Sequence, residues 1–196
     1  MTKQTVMIAL GGNSLYPKGS SGSVAEQFAY TRKTMDYLSE FIFLDYNICI
    51  THGNGPQVGN ELLRMDLTND KIPPLPLGVC VANTQGQIGY MVQQTLQNKL
   101  REIDVDREVV TLVTQVLVNE NDPSINDPTK YIGPRYSKSD IDELVSKFRW
   151  KIKEQEPGSW RRVVPSPMPE YIMHGKSIKA LVDRGTIVIA FGGGGI

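Results

Sequence analysis

Three places in the chain set glycines directly behind a short apolar run: Gly11-Gly12-Asn13, His52-Gly53-Asn54-Gly55, and residues 192–195, all glycine. Glycine lets the backbone approach an anion closely and turn its N–H groups toward it. In an open α/β sheet, ligands bind beyond the carboxyl ends of the strands. A helix that follows such a loop adds about half a positive charge at its N-terminus. Gly11, Gly12, Asn13, Gly53, Asn54 and Gly55 are therefore candidate phosphate-cradle residues, with Gly193 and Gly194 on the last loop. Any one of these loops alone reads as an ordinary strand-to-helix turn, and their repetition is what argues for an anion site.

Lys130 taken by itself reads as a solvated surface lysine, and the loop around it makes it the candidate cation. It lies in Asp127-Pro128-Thr129-Lys130-Tyr131-Ile132-Gly133-Pro134, where the prolines restrict the backbone and predict a constrained loop. Phosphoryl transfer needs positive charge on the moving oxygens and in-line positioning more than covalent chemistry. His52, beside the second glycine loop, reads as a structural hydrogen-bonding group, with a general base as the alternative, and His174 as a surface residue. No spacing of His, Cys, Asp or Glu suggests a metal site. Gly175-Lys176-Ser177 imitates the end of a phosphate-binding P-loop, but Glu170 stands where its first glycine belongs. No G-x-G-x-x-G follows the first strand, so a dinucleotide site is not indicated.

These residues need a scaffold, and the composition supplies a globular one. The chain has 196 residues, 40% hydrophobic and 21% charged, with a formal net charge of +0, enough for a core without disulfides. A neutral chain offers no broad basic field for nucleic acid or a membrane surface. No apolar run reaches the ~20 residues of a bilayer span. Cys49 and Cys80 lie among apolar neighbours and are expected to be buried free thiols, with a disulfide as the alternative. A cytoplasmic protein is expected.

Apolar β-branched runs alternate with helical patterns, which predicts an α/β fold with a mainly parallel sheet covered by helices on both faces. Strands are expected over residues 5–10, 48–51, 109–118 and 186–191, and the core is expected to resume at residues 160–164. Val24, Phe28, Thr31, Met35, Leu38 and Ile42 recur as one face of a long helix. Pro56 suits a first helical turn, so residues 56–67 read as a helix with Val58, Leu62 and Met65 inward. Residues 71–77, rich in proline, form a loop. Thr84 and Gln87 have capping-box spacing and predict a helix starting near 84. Gly86 and Gly89 within it stand either for close packing or for room for a ligand. Residues 119–159 are polar and charged, an excursion from the core, with Ser137 and Asp140 able to cap a helix to about Lys147. Residues 177–184 form a last helix, stopped by Gly185.

The strings Ala9-Leu10-Gly11-Gly12-Asn13 and Thr51-His52-Gly53-Asn54-Gly55-Pro56-Gln57-Val58-Gly59 resemble carbamate kinases of the amino acid kinase superfamily. So do Gln85-Gly86-Gln87-Ile88-Gly89-Tyr90, Thr114-Gln115-Val116, Asp127-Pro128-Thr129-Lys130 with Ile132-Gly133-Pro134, and Arg161-Arg162-Val163-Val164-Pro165-Ser166-Pro167. They run in the family's order along nearly the whole chain.

The resemblance implies a three-layer αβα sandwich. A lobe of residues 1–118 and 160–196 would bind carbamate or carbamoyl phosphate, and residues 119–159 would form a protruding lid. Gly11, Gly12 and Asn13 would line the transferring phosphoryl group, Gly53, Asn54 and Gly55 the carbamate side, and Gly193 and Gly194 the nucleotide side. Lys130 would neutralise charge. ATP or ADP with Mg2+, a homodimer, and a place in arginine fermentation are further implications, with the nucleotide lobe outside these residues. Tyr131 stands where the family usually has proline, Arg135 where it has phenylalanine, and Ser14 where it has alanine. The competing readings are a non-catalytic fragment serving anion binding or dimerisation, and a related kinase acting on another small acid.

Overall fold

The computed structural model describes residues 3–17 and 19–193. In chain order the elements are β1 (Thr5–Leu10), α1 (Gly12–Leu15), α2 (Val24–Phe43), β2 (Asn47–His52), α3 (Gly55–Thr68), α4 (Leu77–Glu102), β3 (Val109–Thr111) and β4 (Val116–Val118). Then follow β5 (Lys130–Tyr136), α5 (Lys138–Phe148), β6 (Ile152–Glu156), β7 (Ser159–Val164), β8 (Pro169–Ile172), α6 (Gly175–Asp183) and β9 (Ile187–Ile189). The chain divides into two units. Unit 1 takes residues 3–17, 19–54, 85–115 and 173–193; unit 2 takes 55–84 and 116–172.

Unit 1 is built on a parallel sheet in the order β1-β2-β9-β3. Side chains alternate across a strand, and this alternation decides what each face meets. Ile48, Ile50, Ile187 and Ile189 pack with Met35, Leu38 and Ile42 of α2 and with Ile88, Val92 and Leu96 of α4. Their neighbours Cys49, Val188 and Ala190 turn the other way, onto Ile178 and Val182 of α6. Helices thus cover both faces of a parallel sheet, the expected three layers. Ile50 and Ile189 are 0% exposed, and truncating either to alanine would cost ~2–5 kcal/mol.

The helix boundaries have local causes. Ser23 caps α2 by accepting the Glu26 amide, and Asp45 turns the chain out at φ 58. Gly185, at φ 92, lets the chain leave α6 where a side chain would be strained. The helix expected to start near Thr84 begins seven residues earlier, at Leu77, because the Pro76 carbonyl accepts the first helical bond from Cys80. Thr84 is an interior residue whose hydroxyl bonds the Val81 carbonyl. Gly89 packs so closely on β3 that a Cβ would run into the Thr111 side chain, whereas a Cβ on Gly86 would meet open space. Among the described residues, no helix is long and apolar enough to cross a membrane.

Unit 2 contains α3, α5, a two-stranded antiparallel β4–β8 pair and an antiparallel sheet in the order β5-β7-β6. Residues 119–159 lie within it, together with 55–84 and 160–172. Residues 160–164 therefore belong to the centre of an antiparallel sheet, not to the parallel one. The run 109–118, expected as one strand, is two: β3 in unit 1 and β4 in unit 2, separated where Thr114 is bound by the side chain of Gln85. Asp66 on α3 accepts from Trp150 Nε1 at 2.7 Å and Arg162 Nη1 at 2.8 Å, and Arg162 also stacks over the Trp150 ring. These bonds tie α3 to β7. The expected cap of α5 is present, with Ser137 N–H donating to Asp140 at 3.1 Å.

Candidate functional site

β1, β2 and β9 are consecutive neighbours in the parallel sheet, and their register brings their exits to one level. Leu10 pairs with His52, and Ile50 with Ile189. The Gly53 amide donates to the Leu10 carbonyl at 3.1 Å, and the Thr51 hydroxyl donates to the Phe191 carbonyl at 3.0 Å. Gly11, Gly53 and Gly192 thus follow strand ends that lie side by side. Of the predicted cradle residues, Gly11, Gly12, Asn13, Gly53, Asn54 and Gly193 belong to unit 1, while Gly55 opens α3 in unit 2. Gly194 lies outside the described residues.

The fold itself gives no reason for glycine at two of these positions. Neither Gly11 nor Gly53 has a positive φ, and a Cβ built on either meets nothing within 4 Å. A plain turn would show left-handed backbone or a packed neighbour. Open space over a glycine at a strand's carboxyl end suits close approach by a ligand. The helix-dipole argument weakens for the first loop, since α1 has only 4 residues. It holds for the second, where α3 is 14 residues long and starts at Gly55. Asn54 is buried.

His52 is buried and its Nδ1 lies 3.1 Å from the Gly53 carbonyl. Desolvation pulls its pKa below the ordinary histidine value, against a smaller upward effect of that carbonyl. The neutral ring donates from Nδ1 and packs against Gly192, where a Cβ would run into it. It is a structural support for the loops, as its sequence context predicts. His174 is exposed, at the start of α6. Cys49 and Cys80 are free and buried, and burial pushes both thiols up.

Sequence reasoning gave no role to a buried polar group behind the third loop. The Phe191 amide donates to Thr114 Oγ1 at 3.0 Å, and Thr114 is held in turn by Gln85. A glutamine and a threonine beside apolar runs were the available signal.

In unit 2, Lys130 is not in a loop but is the first residue of β5, paired with Val164 of β7. The strand is irregular further on, with a register shift between Ile132 and Tyr136 and Gly133 at φ 69. Gly59 packs so tightly here that a Cβ would strike the Gly133 backbone. Lys130 is half-buried, which lowers its pKa from the ordinary lysine value. Among the described residues it makes no ion pair. Tyr131 and Arg135, the departures from the family pattern, both reach β6. The Tyr131 hydroxyl donates to the Glu154 carbonyl at 2.9 Å, and Arg135 pairs with Glu156 through two bonds of 2.6 and 3.0 Å.

No family model matches the chain. Among curated proteins, the carbamate kinase of Pyrococcus furiosus is 47% identical over 193 residues, covering 97% of this chain and 62% of that protein. The carbamate kinase-like protein YahI of Escherichia coli is 43% identical over 197 residues, 99% of this chain and 62% of that protein. Among solved structures, the carbamate kinase of Giardia lamblia bound to citric acid is 35% identical with a TM-score of 0.95, covering 100% of this chain and 64% of that one. The same enzyme bound to AMP-PNP gives a TM-score of 0.84. Parallel strands layered between helices, with glycine loops at adjacent strand ends, define an α/β protein of the amino acid kinase-like fold. Over nearly its whole length the chain aligns with carbamate kinases. It spans about 62% of the length of the curated relatives it matches.

Proposed function

We propose that the full-length protein is a carbamate kinase, catalysing reversible phosphoryl transfer between carbamoyl phosphate and ADP. The observation that carries this reading is the pair Gly11 and Gly53, at neighbouring strand ends, with no conformational or packing need for glycine. The open space over these glycines lets a phosphoryl or carboxylate oxygen come close to the backbone, the Gly53 N–H itself being engaged by the Leu10 carbonyl. The Gly11-Gly12-Asn13 loop takes the transferring phosphoryl group, Gly53, Asn54 and Gly55 the carbamate side, and Gly193 and Gly194 the nucleotide side. Lys130 supplies positive charge to the phosphoryl oxygens, and its half-burial strengthens that charge by excluding water. These roles rest on the family resemblance.

ATP or ADP is the nucleotide, an assignment supported by the AMP-PNP complex of the Giardia relative. Among the described residues, no three His, Cys, Asp or Glu side chains converge on a metal position. Mg2+ would enter with the nucleotide phosphates. The protein is further read as a cytoplasmic homodimer serving arginine fermentation. The matching relatives are kinases or kinase-like by name, so the reading as a non-catalytic module has no support from them.

The full-length protein supplied with carbamoyl phosphate and Mg-ADP should form ATP, while residues 1–196 alone should form none. A folded full-length protein that leaves carbamoyl phosphate unconsumed, yet phosphorylates another small acid from ATP, would overturn the assignment.

A further inference from the structure

Phe191 has a φ of 60. A bulky residue in the left-handed region is an outlier that its surroundings must hold in place. Both of its backbone groups are tied. Its N–H donates to Thr114 Oγ1 at 3.0 Å, and its carbonyl accepts from Thr51 Oγ1 at 3.0 Å. Having accepted that N–H, the Thr114 hydroxyl gives its own hydrogen to Gln85 Oε1 at 3.1 Å. The same Oε1 accepts the Thr114 amide at 2.9 Å, and Gln85 Nε2 donates to the Thr114 carbonyl at 3.0 Å. Each donor and acceptor in this relay is thereby determined, including the orientation of the Gln85 amide. Gln85 and Thr114 are each 4% exposed, so no water substitutes easily for a lost partner.

We infer that Gln85 and Thr114 are positioning residues that set the direction in which the third glycine loop leaves the sheet, acting through the backbone of Phe191. Gly192, the next residue, lies against the His52 ring and admits no side chain. The loop is therefore held from one side by hydrogen bonds and from the other by packing. A fixed exit holds the Gly192 and Gly193 amides in one direction, which is what an anion-binding loop requires. The inference rests on the proposed kinase reading for its catalytic consequence, but its structural content stands apart from it.

The test uses the full-length protein and three variants. Thr114→Val keeps the shape and removes the hydroxyl; Gln85→Glu puts an oxygen against the Thr114 carbonyl; Thr114→Ser retains the hydroxyl. Hydrogen exchange of peptides covering 186–193 is compared with peptides covering 44–52, alongside kcat and KM for ATP formation from carbamoyl phosphate. Thr114→Val and Gln85→Glu should speed exchange at 186–193 by roughly tenfold or more, leave 44–52 unchanged, and lower kcat by about ten- to a hundredfold with a smaller change in KM. Thr114→Ser should restore both readouts to near the wild-type values. Exchange unchanged in Thr114→Val, or accelerated equally across the protein, overturns the positioning role. Should Thr114→Val fail to fold, Thr51→Val provides the same comparison from the carbonyl side of Phe191, with peptides covering 24–43 as the reference. Wild-type protein without carbamoyl phosphate turnover would remove the kinase reading, and exchange alone would then decide the positioning.

Discussion

The imidazole of His52 occupies the space that a side chain on Gly192 would enter. Two strand ends, β2 and β9, are locked together by this contact, and it separates two kinds of glycine in the same group of loops. Gly192 is required by the protein's own packing. Gly53, one residue past the histidine, is not. Gly192→Ala should lower stability by ~1–3 kcal/mol through overpacking. Gly53→Ala should change it by no more than ~0.5 kcal/mol. Urea unfolding of the two variants checks the contrast, and equal losses would count against it.

Gly11→Val and Gly53→Val address the ligand side of the same distinction. Each places a branched side chain into open space at a strand end. Carbamoyl phosphate binding, measured by calorimetry on the full-length protein, should fall below detection while the thermal midpoint moves little. Unchanged affinity with lost stability would return these loops to the status of ordinary turns.

His52 also gives stability a pH dependence. Burial lowers its folded pKa below the unfolded value of ~6.5. Between the two values the unfolded chain binds more protons, so stability rises with pH in that window. The contribution is complete above about pH 6.5 and is lost as pH falls through the folded pKa. His52→Gln should flatten this acid limb, seen as a smaller difference between urea midpoints at about pH 7.5 and about pH 5.

On the proposed kinase reading, Lys130→Ala in the full-length protein should lose ~10²–10³ in kcat, the usual cost of one preorganised charge donor. Lys130→Arg should recover only part, because a guanidinium fork does not reproduce a compact ammonium. Lys138, exposed at the start of α5, is the control and should be silent on alanine substitution. The same variants test the burial. The lowered pKa of Lys130 means that its protonated form costs the fold stability, a cost relieved as pH rises from the folded pKa toward the ordinary ~10.4. Lys130→Ala should therefore not lower the thermal midpoint at neutral pH. The alkaline limb of kcat should fall at a lower pH than a free lysine would give.

Features with a local cause were readable in the residues. The long helix from Val24 follows from apolar spacing, the start of α5 from the Ser137–Asp140 pair, and the end of α6 from Gly185. The glycine loops were visible because each ends an apolar run. The sequence also carried the motif order on which the likeness to carbamate kinases rests.

Tertiary structure decided what depended on distant partners. Residues 109–118 form an unbroken apolar run, yet Gln85, 29 positions before Thr114, captures that residue's backbone and ends β3 there. Lys130 begins a strand despite the prolines around it, because β7 supplies the ladder and the Gly133 bulge absorbs Pro134. Gly86 and Gly89 look alike in sequence, and only the nearness of Thr111 distinguishes them. The strained Phe191 has no sequence signal at all, since its left-handed backbone is held by hydroxyls 77 and 140 positions away. Periodicity and capping act within a few residues and can be read along the chain, whereas strand order, register and buried hydrogen bonds join groups that only folding brings together.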